Sequence, residues 1–243
     1  MAHARKILFE VEDATKEVKD SAAFERAITV GAIPTLAPYI LPGMIDRCRI
    51  RHPNLQINIR EDFKQSLVRG VLDGELDLAL VALPVREPMI QSEVLWQEKL
   101  VLAVSHGHPL ASKRQVTPAD LANETFILLG TSSSLAAQVR QFCGDHHFEP
   151  KIGARCAQVA TVKALVSIEA GISILPEGAK SPSDRHSIAY VVLSDAEPVR
   201  EIAVLRHMQR YQSRGSEQFL ALLKEGPARA APDARQPPKQ GSQ

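Results

Sequence analysis

No apolar run in this sequence approaches the eighteen or so residues that a membrane-spanning helix needs. The longest, Leu78–Leu83 and Lys99–Val104, are interrupted far short of it, so no transmembrane segment is expected. Cysteine is sparse: Cys48, Cys143 and Cys156 are an odd set of three, unlike the dense frameworks of small secreted domains, and they read as reduced thiols. An excess of either charge is lacking too. The 29 Lys and Arg stand against 28 Asp and Glu, and a formal charge of +1 offers no long-range attraction to nucleic acid or to an acidic membrane surface. The first twenty residues carry Glu10, Glu12, Asp13 and Glu17 among their apolar ones, which is not the order of a secretory signal, so a cytoplasmic location is expected. Catalytic signatures are missing as well: there is no Gly-x-Ser-x-Gly elbow, no His-Glu-x-x-His, no phosphate-cradling glycine loop and no dinucleotide fingerprint. Acidic pairs such as Glu61-Asp62 have no partner histidine in a recognisable frame, and no enzyme is expected. What the chain does have is apolar content: 44% of 243 residues is enough for one large domain or two small ones and excludes a mostly disordered chain.

Ile7, Val11, Ala14 and Val18 recur at helical spacing and predict an amphipathic helix that either packs on its own domain or, as its narrow coiled-coil-like stripe favours, pairs with another chain. From Arg26 onward strands and helices alternate: Ala27–Val30, a proline-broken helix Thr35–Arg51, Leu55–Ile59, a helix Lys64–Leu72, and Leu76–Val81. A second set follows Lys99–Ser105, with a short helix at Pro118–Asn123, strand Thr125–Leu129, helix Ser134–Asp145, strand Lys151–Cys156, helix Thr161–Ala170 and strand Ile172–Leu175. Two α/β lobes are predicted. Strands at Ile188–Leu193 and Glu201–Met208 precede a helix Ser216–Lys224 that returns to the first lobe. Residues 227–243 are Pro, Ala, Arg and Gln with almost no apolar content, which predicts a disordered tail.

Gly31-Ala-Ile-Pro-Thr35-Leu-Ala-Pro-Tyr-Ile-Leu-Pro42, directly after a predicted strand, resembles the first strand and helix of LysR-type transcriptional regulators. Four further segments agree in order and spacing: His52-Pro-Asn-Leu55, Gly74-Glu-Leu-Asp-Leu-Ala79, His108-Pro-Leu-Ala111, and Thr161-Val-Lys-Ala-Leu-Val166 with Gly171-Ile-Ser-Ile-Leu-Pro176. Together they span about Arg26 to Lys224, the effector-binding part of such a regulator, and look most like the peroxide-responsive branch. The resemblance implies an α/β fold of two Rossmann-like lobes with mixed sheets joined by two crossover strands, similar to type 2 periplasmic binding proteins. In that frame residues 1–23 hold a linker and dimerisation helix, 24–103 and 200–226 form lobe I, 104–199 form lobe II, and 227–243 are the tail. The family's helix-turn-helix is not in this sequence, which leaves either a fragment or a gene without its reader domain.

Helix N-termini carry free amide donors and the positive end of the helix dipole, so several converging on one cleft suit an anion or a polar effector. Three turns fit: Thr35 at the first helix, Thr131, Ser132 and Ser134 at the first long helix of lobe II, and Thr161 at the next. Serine and threonine at such places also act as plain N-caps. In the resembled family these three turns face the cleft, which favours the ligand reading for Thr35 and Thr131. Lys64 stands where peroxide-responsive members carry a pocket threonine, and reads as either a solvated side chain or a cleft cation for an acidic ligand. Glu169 replaces the first glycine of the family's Gly-x-Gly-Ile-Ser turn. Cys143 with His146 or His147 has a helix-end spacing open to a metal but lacks a second cluster, so neither metal nor cofactor is expected.

The expected function is the effector-binding and dimerisation domain of a LysR-type regulator sensing a small polar or anionic metabolite. Its partners would be that effector and a second copy, as homodimer or tetramer, with DNA reached only through the absent helix-turn-helix and no membrane contact. A cytosolic solute-binding module acting without DNA is the alternative, and an enzyme on the same fold a third. Peroxide switching by a disulfide is not expected. In members that resemble this branch a reactive cysteine precedes its partner by nine residues; with Cys143 as partner, that position is Ser134.

Overall fold

The computed structural model describes Val11, Ala14 and residues 27–194 and 197–226. Most of the predicted N-terminal helix and all of the predicted tail lie outside the described residues; Val11 and Ala14 are helical. Three parallel strands open the fold: β1 (Ile28–Ala32) lies between β2 (Ile57–Glu61) and β3 (Leu78–Ala82). Between them run α1 (Ala37–Arg51) and α2 (Lys64–Leu72). All five residues of β3 are buried, as an unbroken apolar strand covered on both faces should be. Helix α1 continues through Pro42, which lies on its exposed side, where the sequence pattern suggested a break.

The next strand does the joining. β4 (Ile90–Ser105) is sixteen residues long. Its first part pairs antiparallel with β10 (Val199–His207), and its second part pairs with β8 (Ser173–Pro176) and β9 (Ile188–Leu193). β10 returns antiparallel to β3, giving the order β2-β1-β3-β10-β4-β9-β5, where β5 is Gln115–Val116. The sheet is therefore mixed, and β4 and β10 are its two crossover strands. A separate parallel pair, β6 (Thr125–Leu129) and β7 (Lys151–Cys156), is held to β8 through a bridge from Phe126 to Ile172. Short helix α3 (Pro118–Leu121), α4 (Ser134–Asp145), α5 (Val159–Ser167) and α6 (Arg214–Lys224) complete the elements that matter below.

Two apolar cores result. One gathers residues from Ile28 to Ile90 with Ile202, Val204 and Leu205 of β10 and Phe219, Leu220, Leu222 and Leu223 of α6. The other is continuous in sequence, from Leu100 to Leu193. α6 shows why a modest amphipathic segment folds: Ser213 caps it by accepting from the Ser216 amide at 3.2 Å, and the four apolar side chains all face the first core.

Both long helices of the second core end in the same way. In α5 the amides of Glu169 and Ala170 donate back to the carbonyls of Val166 and Leu165, and Glu169 has φ +63°. In α4 the amides of His147 and Phe148 donate to Gly144 and Cys143, and His147 has φ +61°. These are Schellman ends, whose left-handed residue is ordinarily glycine. The glycine that the resemblance led one to expect at 169 thus has a steric reason, and Glu169 holds the position while its carboxylate accepts from the Ser105 hydroxyl at 3.1 Å. His147 is explained as a chain reversal, and the His146 ring is tied to the Phe142 carbonyl at 2.7 Å.

Candidate functional site

Between the two cores, the turn after β1 faces the start of α2 and the start of α4. Thr35, Lys64, Ser132 and Ser134 line one crevice there, together with Phe63 and Ala157. Its free volume is about 10 Å³, close to the space of a single water, so the lobes stand nearly closed on it. Neither α2, entered from Phe63, nor α4, entered from Ser133, has a side-chain cap on its first amides. Uncapped helix starts leave donors and a positive dipole end available. α1 differs: Leu36 and Ala37 donate to the Ile33 carbonyl and Pro38 has no N–H, so this turn offers a hydroxyl and not a nest of amides. Thr131 and Thr161 are exposed and do not line the crevice. The start of α5, at Val159 and Ala160, borders a separate and larger cavity.

Lys64 is half-buried, and its Nζ lies 3.1 Å from the Pro84 carbonyl and 3.4 Å from that of Ala82. Burial lowers its pKa from the ordinary lysine value, because carbonyl dipoles replace only part of the lost hydration. A carboxylate entering the crevice would give that ammonium an opposite charge.

Thr35 is 3% exposed and does not cap α1. Its hydroxyl oxygen accepts from Arg200 Nη1 at 2.9 Å and its carbonyl from Arg200 Nη2 at 2.9 Å. Arg200, on β10, is wholly buried and also donates through Nε to Glu98 Oε2 at 2.9 Å; Glu98 is its register partner on β4. Glu98 in turn accepts from the Tyr39 hydroxyl of α1 at 2.9 Å and from the Gly178 amide at 3.2 Å. Gly178 is there because a side chain would not fit: a Cβ would lie 2.4 Å from the Tyr39 ring and 2.6 Å from Glu98 Oε1. Burial drives the Tyr39 hydroxyl far above its usual pKa, so it stays a donor. One buried ion pair thus holds both crossover strands, the turn that presents Thr35, and a loop of the second lobe.

This network was not among the residues singled out from sequence. A signal existed: Arg200 is in phase with Ile202 and Val204, and Glu98 with Leu100 and Leu102, on the inward side of their strands. A charge at an inward position of a strand needs a partner.

Cys143 is fully buried in the last turn of α4, whose first residue is Ser134. All three cysteines are buried, Cys143 and Cys156 as free thiols. Among the described residues no group of three or more metal-ligating side chains occurs.

A family model, the LysR substrate binding domain, matches residues 21–228 of the sequence. The chain belongs to the LysR substrate-binding domain family. A "Probable hydrogen peroxide-inducible genes activator" of Mycobacterium leprae is 33% identical over 161 residues, 66% of this chain and 52% of that protein. The chain therefore spans about half the length of that curated relative. Among solved structures, a cysteine mutant of Corynebacterium glutamicum OxyR superposes with a TM-score of 0.76 at 27% identity, covering 92% of this chain and 71% of the other. The "Effector binding domain of QuiR in complex with shikimate" superposes with a TM-score of 0.75 at 23% identity, covering 83% and 96%. This LysR domain shares with them the two-lobed α/β fold similar to type 2 periplasmic binding proteins.

Proposed function

We propose that this LysR domain is the sensing part of a cytoplasmic transcriptional regulator, and that it closes its lobes on a small polar or anionic metabolite. The observation that carries this reading is the shared crevice at the uncapped starts of α2 and α4, with Lys64, Thr35, Ser132 and Ser134 around it. Thr131 and Thr161 stand at the edges of the reading, since both are exposed. The solved QuiR complex with shikimate supports small-molecule sensing. Contact with DNA belongs to a helix-turn-helix outside these residues, and the domain carries out no reaction of its own. Two copies pair, and the signal leaves as a population shift of the pair.

The test is thermal denaturation of the chain against a panel of small carboxylates and hydroxy acids. A true effector at a hundred times its Kd adds about 2.7 kcal/mol of stability. Lys64→Met with Ser134→Ala should remove that shift while leaving the unliganded transition in place. A ligand that stabilises the wild type and this double variant equally would show that the crevice is not its site.

A further inference from the structure

Among the described lysines, one keeps different company from the rest. Lys99, Lys113, Lys163, Lys180 and Lys224 each pair with a carboxylate, and Lys151 is exposed. Lys64 is half-buried and pairs with none; its Nζ has only two backbone carbonyls, of Pro84 at 3.1 Å and of Ala82 at 3.4 Å. The geometry points to Lys64 as a covalent binding site, whose amine forms a reversible imine with a small 2-oxo acid that enters the crevice. This rests on the reading of the crevice as the effector site and takes it further, from an anion held by contacts to a carbonyl compound held by a bond.

The partners of the nitrogen carry the first half of the argument. An ammonium donates three protons, whereas a free amine donates two and keeps a lone pair. Two carbonyls accept from Lys64 and the described residues supply no third acceptor, so the free amine is fully satisfied and its lone pair is left for what enters the crevice that Lys64 lines. Burial favours the same form, since it lowers the pKa of the group. Lysines desolvated in this way are the ones that attack carbonyl carbons. The position fits as well: Ala82 ends β3, which places Nζ at the carboxyl end of the parallel strands, where α/β sheets receive ligands.

The other walls carry the second half. Thr35, Ser132 and Ser134 bring hydroxyls to the crevice, the uncapped starts of α2 and α4 bring amides, and no acidic residue lines it. Donors of this kind hold a carboxylate. In a 2-oxo acid the carboxylate is bonded directly to the carbonyl carbon, and in a space close to that of one water the lysine and the donors converge on a single small molecule. An amino acid would bring an ammonium that finds no carboxylate there. The step balances without any other reagent: the Lys64 nitrogen attacks the carbonyl carbon, the carbonyl oxygen takes up protons and leaves as water, and a C=N bond remains. Once protonated, the imine keeps one N–H for the Pro84 carbonyl and a positive charge beside the bound carboxylate. Water reverses the reaction, so the bond reports occupancy and nothing is turned over.

The test needs no variant, because every other lysine of the chain is an internal reference. The full chain is incubated at neutral pH with glyoxylate, the smallest 2-oxo acid, and cyanoborohydride, which reduces the imine to a stable carboxymethyl amine. Peptide mass spectrometry then gives the labelling rate of each lysine. Lys64 should be labelled about tenfold faster than the exposed Lys151, since the crevice holds the carbonyl against its amine. Propanal, an aldehyde without the carboxylate, should show no such preference, and an excess of acetate should slow Lys64 and leave Lys151 as it was. Labelling of Lys64 no faster than that of Lys151 overturns the imine, and a preference for Lys64 as strong with propanal as with glyoxylate overturns the 2-oxo acid. If the imine falls while a carboxylate still stabilises the wild type and not the variant with Lys64→Met and Ser134→Ala, the crevice reading stands without it.

Discussion

Cys143 shows how a single environment decides a chemistry. Burial pushes its thiol pKa up to about 11, so at neutral pH only about one molecule in ten thousand carries the thiolate that reacts with peroxide. Ser134 stands nine residues before it, where a serine cannot form a sulfenic acid. Brief peroxide treatment followed by alkylation and mass spectrometry should find Cys143 and Cys156 both as thiols; a rapid, reversible disulfide between them would contradict this. Glu169 is the opposite case, a residue legible as an anomaly in the sequence and explained only by its φ of +63°. Left-handed backbone costs an L-residue about 1–2 kcal/mol, and the Ser105 hydrogen bond returns about 0.5–1. Glu169→Gly should therefore stabilise the chain by about 0.5–1 kcal/mol, seen as a higher urea midpoint at unchanged slope. The same accounting bears on Thr35. Its hydroxyl was picked from sequence as a ligand donor, and one of its two lone pairs serves Arg200, which leaves its proton to donate. Thr35→Val would leave a buried guanidinium N–H without that partner, which is why Lys64 and Ser134 are the cleaner probes of the crevice.

Among the elements, α2, α4, β6, β7 and β9 agree with the sequence pattern to the residue. The first half of β4 does not read that way. Gln91, Ser92, Val94 and Gln97 are exposed, so the stretch has no continuous apolar face, and it becomes a strand only through pairing with β10, over a hundred residues later. Long-range pairing of this kind is invisible to local periodicity. The Glu98–Arg200 pair shares that origin, since register across β4 and β10 alone brings the two together. Arg200→Met leaves Glu98 buried without its charge partner and should destabilise by about 3–5 kcal/mol in urea unfolding. Adding Glu98→Gln should recover part of that loss, since the stranded charge is then gone.

At the scale of the molecule, the two-lobe organisation follows from where the apolar residues fall in the sequence, whereas the size of the inter-lobe spaces does not. Ile50 at the end of α1 and Ile168 at the end of α5 are 75% and 71% exposed, one on each lobe. Side-by-side pairing of first and second lobes would cover both. Light scattering should give about twice the 26.6 kDa chain mass, and Ile50→Glu with Ile168→Glu should shift the population to monomer. The nesting of one core inside the other also sets an order of events during synthesis. Residues 100–193 contain everything the second core needs, but the first waits for Ile202–Leu205 and then Phe219–Leu223. Until β10 leaves the ribosome, β3 presents an unpaired apolar edge, the kind that seeks a partner in another chain. A nascent chain emerged only as far as Pro198 would thus hold a finished later half and an unfinished earlier one, so the part translated first is the last to be safe from aggregation.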